Sequence, residues 1–103
     1  MKRLYLDDVR TPPQGWAVAR SHAEFVDWVA QNGVPDIVSF DHDLGDTSCP
    51  EMTGYDSAKW LCGHCVDNGI PLPEWAVHSS NPVGRDNIEH AMRSASRTIN
   101  KTK

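Results

Sequence analysis

Short apolar runs alternate with longer amphipathic segments along this chain. Apolar runs at residues 3–6, 36–40 and 75–77 are typical of short β-strands, and a weaker alternation at 16–19 predicts one more. Residues 21–32, 54–68 and 82–99 repeat apolar side chains at helical spacing, which predicts three helices. Strands that alternate with helices in this way indicate an α/β domain with a mostly parallel sheet of about four strands and about three helices.

Capping residues mark the ends of the predicted helices. Ser21 and Glu24 form an S-x-x-E capping box, Gly69 is suited to end the second helix, and Pro82 suits the first position of the third. The core face of the second helix is predicted to contain Tyr55, Ala58, Leu61, Cys62, Cys65 and Val66. That of the third is predicted to contain Ile88, Ala91, Met92, Ala95 and Ile99. The direction of the strand at 16–19 stays open, because a parallel strand would require residues 8–15 to cross over without a helix.

Length and charge limit the range of functions. The 103 residues fit one domain, residues 1–103, and the net charge is -4. Without a basic stretch, duplex nucleic acid is not an expected partner. Neither a signal peptide nor a membrane-spanning stretch is recognisable in the sequence, so we expect a soluble, cytoplasmic protein that binds no membrane.

Polar residues follow three of the predicted strands directly. They are Asp7, Asp8, Asp41, His42, Asp43, His78, Ser79 and Asn81. Because parallel strands joined by right-handed crossovers all end at one edge of the sheet, these residues are expected to converge there. Ligands of open α/β sheets bind at this same edge, which makes it the predicted functional site.

The residue types in this cluster suit a cation and a phosphate. Asp7, Asp8, Asp41 and Asp43 offer hard oxygen ligands that repel one another unless a cation neutralises them, which suggests Mg²⁺ or another divalent cation. The alternative is that some of these aspartates only cap turns or helices.

His42 and His78 could act as general acid and base, or either could bind the metal, and a structural histidine is the alternative for each. Arg10 is placed to neutralise the cluster or to grip a phosphate. Ser79 and Asn81 lie at a helix start, where an anion is favoured, although Asn81 could be a simple N-cap.

Three cysteines raise a separate metal hypothesis. Cys62 and Cys65 have the spacing of a zinc half-site that Cys49 and a histidine would have to complete. Both lie on the predicted apolar face of the second helix, so buried free thiols are the favoured interpretation.

Several motifs resemble response-regulator receiver domains. "LYLDD" resembles their first strand and acidic pair, "IVSFD" the strand that bears the phosphorylated aspartate, and "PEMTGYD" the segment that follows it. The chain departs from receivers in two places: a proline-rich loop stands where a helix joins their first two strands, and a fifth strand with its lysine is missing.

The motifs "LDDVRTPP", "FDHDLG" and "VHSSNPVG" resemble more closely the cyclic-phosphate processing receiver-like domains, over nearly the whole chain. The resemblance implies a compact bacterial or phage protein with a truncated flavodoxin-like three-layer sandwich. It also implies binding or hydrolysis of a cyclic phosphate, either a cyclic nucleotide or an RNA 2′,3′-cyclic phosphate end, and the acidic cluster predicts that this activity is metal-dependent. The alternative is a non-catalytic receiver-like module, such as a small regulator, that binds a protein partner.

Overall fold

A computed structural model describes residues 2–8, 10–41, 53–79 and 81–101. Its elements are β1 (Arg3–Leu6), β2 (Ala17–Ala19), α1 (His22–Asn32), β3 (Ile37–Phe40), α2 (Gly54–Asn68), β4 (Glu74–Val77) and α3 (Pro82–Lys101). The strands form one sheet in the order β2-β1-β3-β4, and every neighbouring pair is parallel. This is the order of the first four strands of a flavodoxin-like sheet, so the predicted fold class is confirmed.

The second strand runs parallel to the first, which resolves the direction that the sequence left open. Leu4 pairs with Ala17 and Leu6 with Ala19. The connection between them is a loop that contains Pro12, Pro13 and Gly15, the last with a φ of 87°. A short loop is sufficient here because the strands that it joins are only four and three residues long, so the return path is short.

The two faces of the sheet differ in their burial. Side chains on one face pack into the core against the helices; they include Leu4, Leu6, Ala19, Val38, Phe40 and Val77. The alternate side chains, Arg3, Tyr5, Ile37, Ser39 and Ala76, form the opposite face, which we call the helix-free face. The right-handed crossovers β2–α1–β3 and β3–α2–β4 advance in the same direction and place α1 and α2 on one side of the sheet. The buried residues of α3 belong to the same core, so α3 packs on that side too. Within the described residues, the fold therefore supplies two layers of the sandwich that the resemblance implies.

The helices are capped and packed largely as their sequences predict. Ser21 caps α1, and Thr53 with Asp56 forms a capping box at α2. Ile88, Met92, Ala95 and Ile99 of α3 are buried in the core that α2 also lines. Two predicted core residues fall outside the core, because Ala91 is only half-buried and Val66 is 39% exposed. Val66 lies roughly 100° around α2 from the centre of the buried stripe, because each residue advances the helix by about that angle.

Both described cysteines are core residues. Cys62 and Cys65 are buried free thiols, and the Cys62 sulfur lies 3.6 Å from that of Met92. Burial, together with the neighbouring Cys65, raises the pKa of the Cys62 thiol to about 11. This packing matches the interpretation as buried free thiols, while Cys49 of the zinc hypothesis lies outside the described residues.

No helix in the described part of the chain is both long and apolar enough to cross a membrane.

Candidate functional site

Three of the predicted site residues meet at the carboxyl edge of the sheet. The backbone ladder continues past the strands, where the amides of Asp7, Asp41 and His78 donate to carbonyls of the neighbouring strand at 3.1, 2.9 and 2.9 Å. These hydrogen bonds hold the three residues in register. One side-chain ligand atom from each of Asp7, Asp41 and His78 lies within 4.8 Å of the others. Groups this close could share one cation.

Asp7 is a fully buried carboxylate with several donors around it. Its side chain is 0% exposed. Oδ1 accepts a hydrogen bond from the Arg10 amide at 2.8 Å. Oδ2 lies 3.0 Å from His78 Nε2 and 3.8 Å from Arg10 Nε. A buried charge requires such partners, because an uncompensated carboxylate in the interior would be very costly.

His78 is held on three sides. Its Nδ1 lies 2.7 Å from the hydroxyl of Ser39, and its Nε2 faces Asp7. Its ring stacks on Tyr5 with a centroid separation of 4.3 Å and an interplanar angle of 7°. The ring of Trp16 meets Tyr5 edge-on at 5.9 Å. His78 is therefore an ordered part of the site and not a surface histidine.

Two arginines lie beside the cluster. Arg10 is 53% exposed at its side chain, and its guanidinium donates to the carbonyl of His78 at 3.2 Å. The Arg20 guanidinium donates to the carbonyls of Asp7 and Arg10 at 3.3 and 2.6 Å. Arg20 thus stabilises the backbone of the loop between β1 and β2. The side chain of Arg10 is exposed, so it could also contact an anion.

Ser79 and Asn81 form the start of α3. The Ser79 hydroxyl is buried and accepts from the Asn81 amide at 3.1 Å, and Asn81 Oδ1 accepts from the Gly84 amide at 3.1 Å. Asn81 therefore has the N-cap contact that was its structural alternative. Whether Ser79 and Asn81 also contact a substrate stays a prediction.

Among the described residues, Asp8 is not part of the cluster of Asp7, Asp41 and His78. Asp8 is half-buried next to Asp7, and its predicted role as a metal ligand is untested. His42 and Asp43 lie outside the described residues. The predicted general acid–base role of His42 and the metal role of Asp43 therefore stay predictions.

Tyr5 and Ser39 are members of the site that sequence reasoning missed. The signal was present, because successive side chains of a strand alternate between faces. This alternation places Tyr5 on the same face as Asp7, and Ser39 on the same face as Asp41. Register then brings Tyr5 opposite Ser39 across the β1–β3 pair.

The donor set fits a hard divalent cation. The carboxylates of Asp7 and Asp41 offer oxygen ligands. Mg²⁺ is typically bound by one or two carboxylates and keeps several water ligands. By contrast, a groove at the opposite edge is lined mainly by apolar residues, among them Val34, Pro35, Ile70 and Leu72. Asp36 and Glu74 also line that groove, but among the described residues only Asp7, Asp41 and His78 bring three potential ligands together.

The parallel sheet and its acidic carboxyl edge define a receiver-like α/β domain. The sequence model of the family described as "Cyclic-phosphate processing Receiver domain" matches residues 2–94, and the chain belongs to this family. No curated protein matches the chain. A solved structure of a fusion with the trimeric coiled coil of yeast Spc42 is similar, with a TM-score of 0.53 and 16% identity over 98% of this chain and 82% of that one. At this identity the likeness shows the fold alone.

Proposed function

We propose that the acidic carboxyl edge binds a cyclic phosphate through a divalent cation and hydrolyses it. The observation that carries the proposal is the convergence of Asp7, Asp41 and His78, whose ligand atoms lie within 4.8 Å of one another. The family's description as cyclic-phosphate processing supports the same ligand class. A cyclic nucleotide and an RNA 2′,3′-cyclic phosphate end both carry the required cyclic phosphodiester.

Each residue of the cluster has a role in this proposal. Asp7 and Asp41 would hold the cation, with Asp8 and Asp43 as further oxygen ligands. A bound cation supplies polarisation of a phosphoryl oxygen and orientation of a water molecule. His42 would be the general base, and His78, whose Nε2 faces Asp7 and whose Nδ1 faces Ser39, could act only as a proton donor.

The phosphate would be held by the basic and polar groups at the rim. The Arg10 guanidinium is half-exposed and lies beside Asp7, so it can pair with a phosphate oxygen. The main-chain amide of Arg10 would keep its hydrogen bond to the buried carboxylate of Asp7. Ser79 and Asn81 stand at the N-terminus of the long helix α3, where the helix dipole favours an anion.

The test is a panel of cyclic phosphates with and without metal. Binding and turnover of 2′,3′- and 3′,5′-cyclic mononucleotides and of RNA with a 2′,3′-cyclic end would be measured in Mg²⁺, in Mn²⁺ and in EDTA. Binding or turnover that requires the cation, is lost in Asp41→Asn and is weakened in Arg10→Ala is the expected result. The charge-matched control is Asp27→Asn, an exposed position on α1 that is not part of the cluster, which should behave as wild type.

A protein-binding module is the second candidate, and one observation favours it. The part of the helix-free face on β3 and β4 is covered by no helix in the described residues, and Ala76 is exposed there opposite Ser39. Absence of both binding and turnover across the whole panel would overturn the cyclic-phosphate proposal and favour this module.

A further inference from the structure

Both ring nitrogens of His78 have a hydrogen-bond partner, and the two partners are chemically different. Nε2 lies 3.0 Å from Asp7 Oδ2, and Nδ1 lies 2.7 Å from Ser39 Oγ. An ionised carboxylate can only accept, whereas a hydroxyl can donate or accept. The neutral ring satisfies both contacts in one way only: Nε2 carries the proton and donates to Asp7, and Nδ1 accepts from Ser39.

The groups of Arg10 that face Asp7 are also hydrogen-bond donors. The Arg10 amide donates to Oδ1, and the Arg10 guanidinium lies 3.8 Å from Oδ2. Both contacts favour a charged acceptor. With the proton on Nδ1 instead, the lone pair of Nε2 would face the lone pairs of this carboxylate, which is unfavourable.

The orientation of the ring is also determined by packing. Tyr5 covers one face of the imidazole in a nearly parallel stack, and the amide of His78 is bound to the carbonyl of Phe40 at 2.9 Å. Turning the ring over would place carbon atoms against Asp7 and Ser39 and would lose both side-chain hydrogen bonds. Tyr5 and Ser39 lie next to each other across the β1–β3 pair, so a single patch of the sheet provides both constraints.

We propose that Ser39 and Tyr5 are positioning residues that hold His78 as a hydrogen-bond donor to Asp7 and so keep it from acting as a metal ligand. With its Nε2 protonated, His78 has no lone pair to offer the cluster. A cation at Asp7 and Asp41 is then held by oxygen atoms only, which selects Mg²⁺ or Mn²⁺ over zinc. The cation selectivity rests on the proposed function, whereas the position of the proton does not.

The position of the proton is measured directly by long-range ¹H–¹⁵N NMR of histidine-labelled protein in EDTA, with His78 assigned from a His78→Gln variant. The expected result for the wild type is a protonated Nε2 and a bare, hydrogen-bonded Nδ1. A proton on Nδ1 would overturn the proposal, and this measurement requires no other variant. Ser39→Ala should move the Nδ1 resonance to that of a bare nitrogen without a hydrogen bond, while Nε2 keeps its proton towards Asp7, and Ser39→Thr should restore the wild-type spectrum. A Ser39→Ala spectrum identical to wild type would remove Ser39 from the positioning role.

A matched control exists elsewhere in the fold. The buried hydroxyl of Ser57 lies 2.9 Å from Nδ1 of His22, which makes a second serine–histidine pair. Ser57→Ala should change the His22 signals and leave those of His78 unchanged. For the stack, Tyr5→Phe should preserve the His78 spectrum and Tyr5→Leu should broaden it through ring motion. Equal spectra for Tyr5→Phe and Tyr5→Leu would exclude Tyr5 from the positioning role.

The cation part is tested by pulsed EPR of protein loaded with Mn²⁺. The expected spectrum shows no directly bound ¹⁴N. A bound ¹⁴N that disappears in His78→Gln would show that His78 is a ligand and would overturn the proposal. Failure to bind Mn²⁺ at all would contradict the proposed function and the selectivity, while a protonated Nε2 in the NMR experiment would still establish the positioning.

Discussion

Replacing Asp41 by Asn should make the metal-free protein more stable and at the same time abolish its response to divalent cations. In the absence of metal, Asp41 faces the buried charge of Asp7 at a separation of at most 4.8 Å between their nearest ligand atoms. Asn has the same shape and keeps one carbonyl acceptor, so the substitution removes mainly the charge. The unfolded chain has no such repulsion, so its removal favours the folded state.

The size of the effect follows from this distance. Two unit charges 4.8 Å apart repel by about 1 kcal/mol in water and by roughly 3.5 kcal/mol at the effective dielectric constant of a protein surface. Asp41 is partly exposed and Asp7 is buried, so we expect a gain of about 1–3 kcal/mol in the free energy of unfolding. In a domain of this size each kcal/mol raises Tm by about 4–8 °C.

The assay is urea unfolding and thermal melting in EDTA and in Mg²⁺ or Mn²⁺. The wild type should gain about 2.7 kcal/mol when the cation is at one hundred times its Kd, because only the folded state binds it. Asp41→Asn should gain much less, and Asp27→Asn should respond to metal like the wild type. A variant that is less stable than wild type in EDTA, or that responds equally to metal, would refute the electrostatic argument.

Two further predictions concern the scaffold that carries the site. Thr53→Ala should lower Tm by about 4–8 °C, because it removes the hydroxyl that accepts from the Tyr55 amide and costs about 1 kcal/mol of N-cap stabilisation; an unchanged Tm would contradict the capping box. The second concerns Cys62, whose pKa is raised by burial from 9.0 to about 11, so that the unfolded thiol loses its proton first. The contribution of Cys62 to the free energy of unfolding is present in full below pH 9 and is lost as pH rises towards 11. Urea titrations at about pH 8 and about pH 10.5 should show that the free energy of unfolding falls less for Cys62→Ala than for wild type. Equal falls in the two proteins would count against the burial of this thiol.

Local patterns were sufficient to predict most of the secondary structure. Strand alternation, helical spacing and caps depend on residues within a few positions of one another, so the seven elements were predicted to within one or two residues at most ends. The burial of Val66 was predicted wrongly, because helical spacing alone does not determine how wide the buried stripe of a helix is. The direction of β2 was equally open, since parallel pairing depends on where the strand lies in the sheet.

At the carboxyl edge, too, the sequence predicted the place of the residues, while their contacts depended on the tertiary structure. The sequence by itself determined that acids and histidines end three parallel strands, because topology sends all such ends to one edge. Only the tertiary structure decided what each side chain does there. His78 lies 39 residues from Ser39 and 71 from Asp7, and the partners that decide which of its nitrogens carries the proton come from two other strands. A hydrogen bond of 2.7 or 3.0 Å depends on strand register, on side-chain rotamers and on the small size of Ser39, and these become definite only when the sheet is assembled.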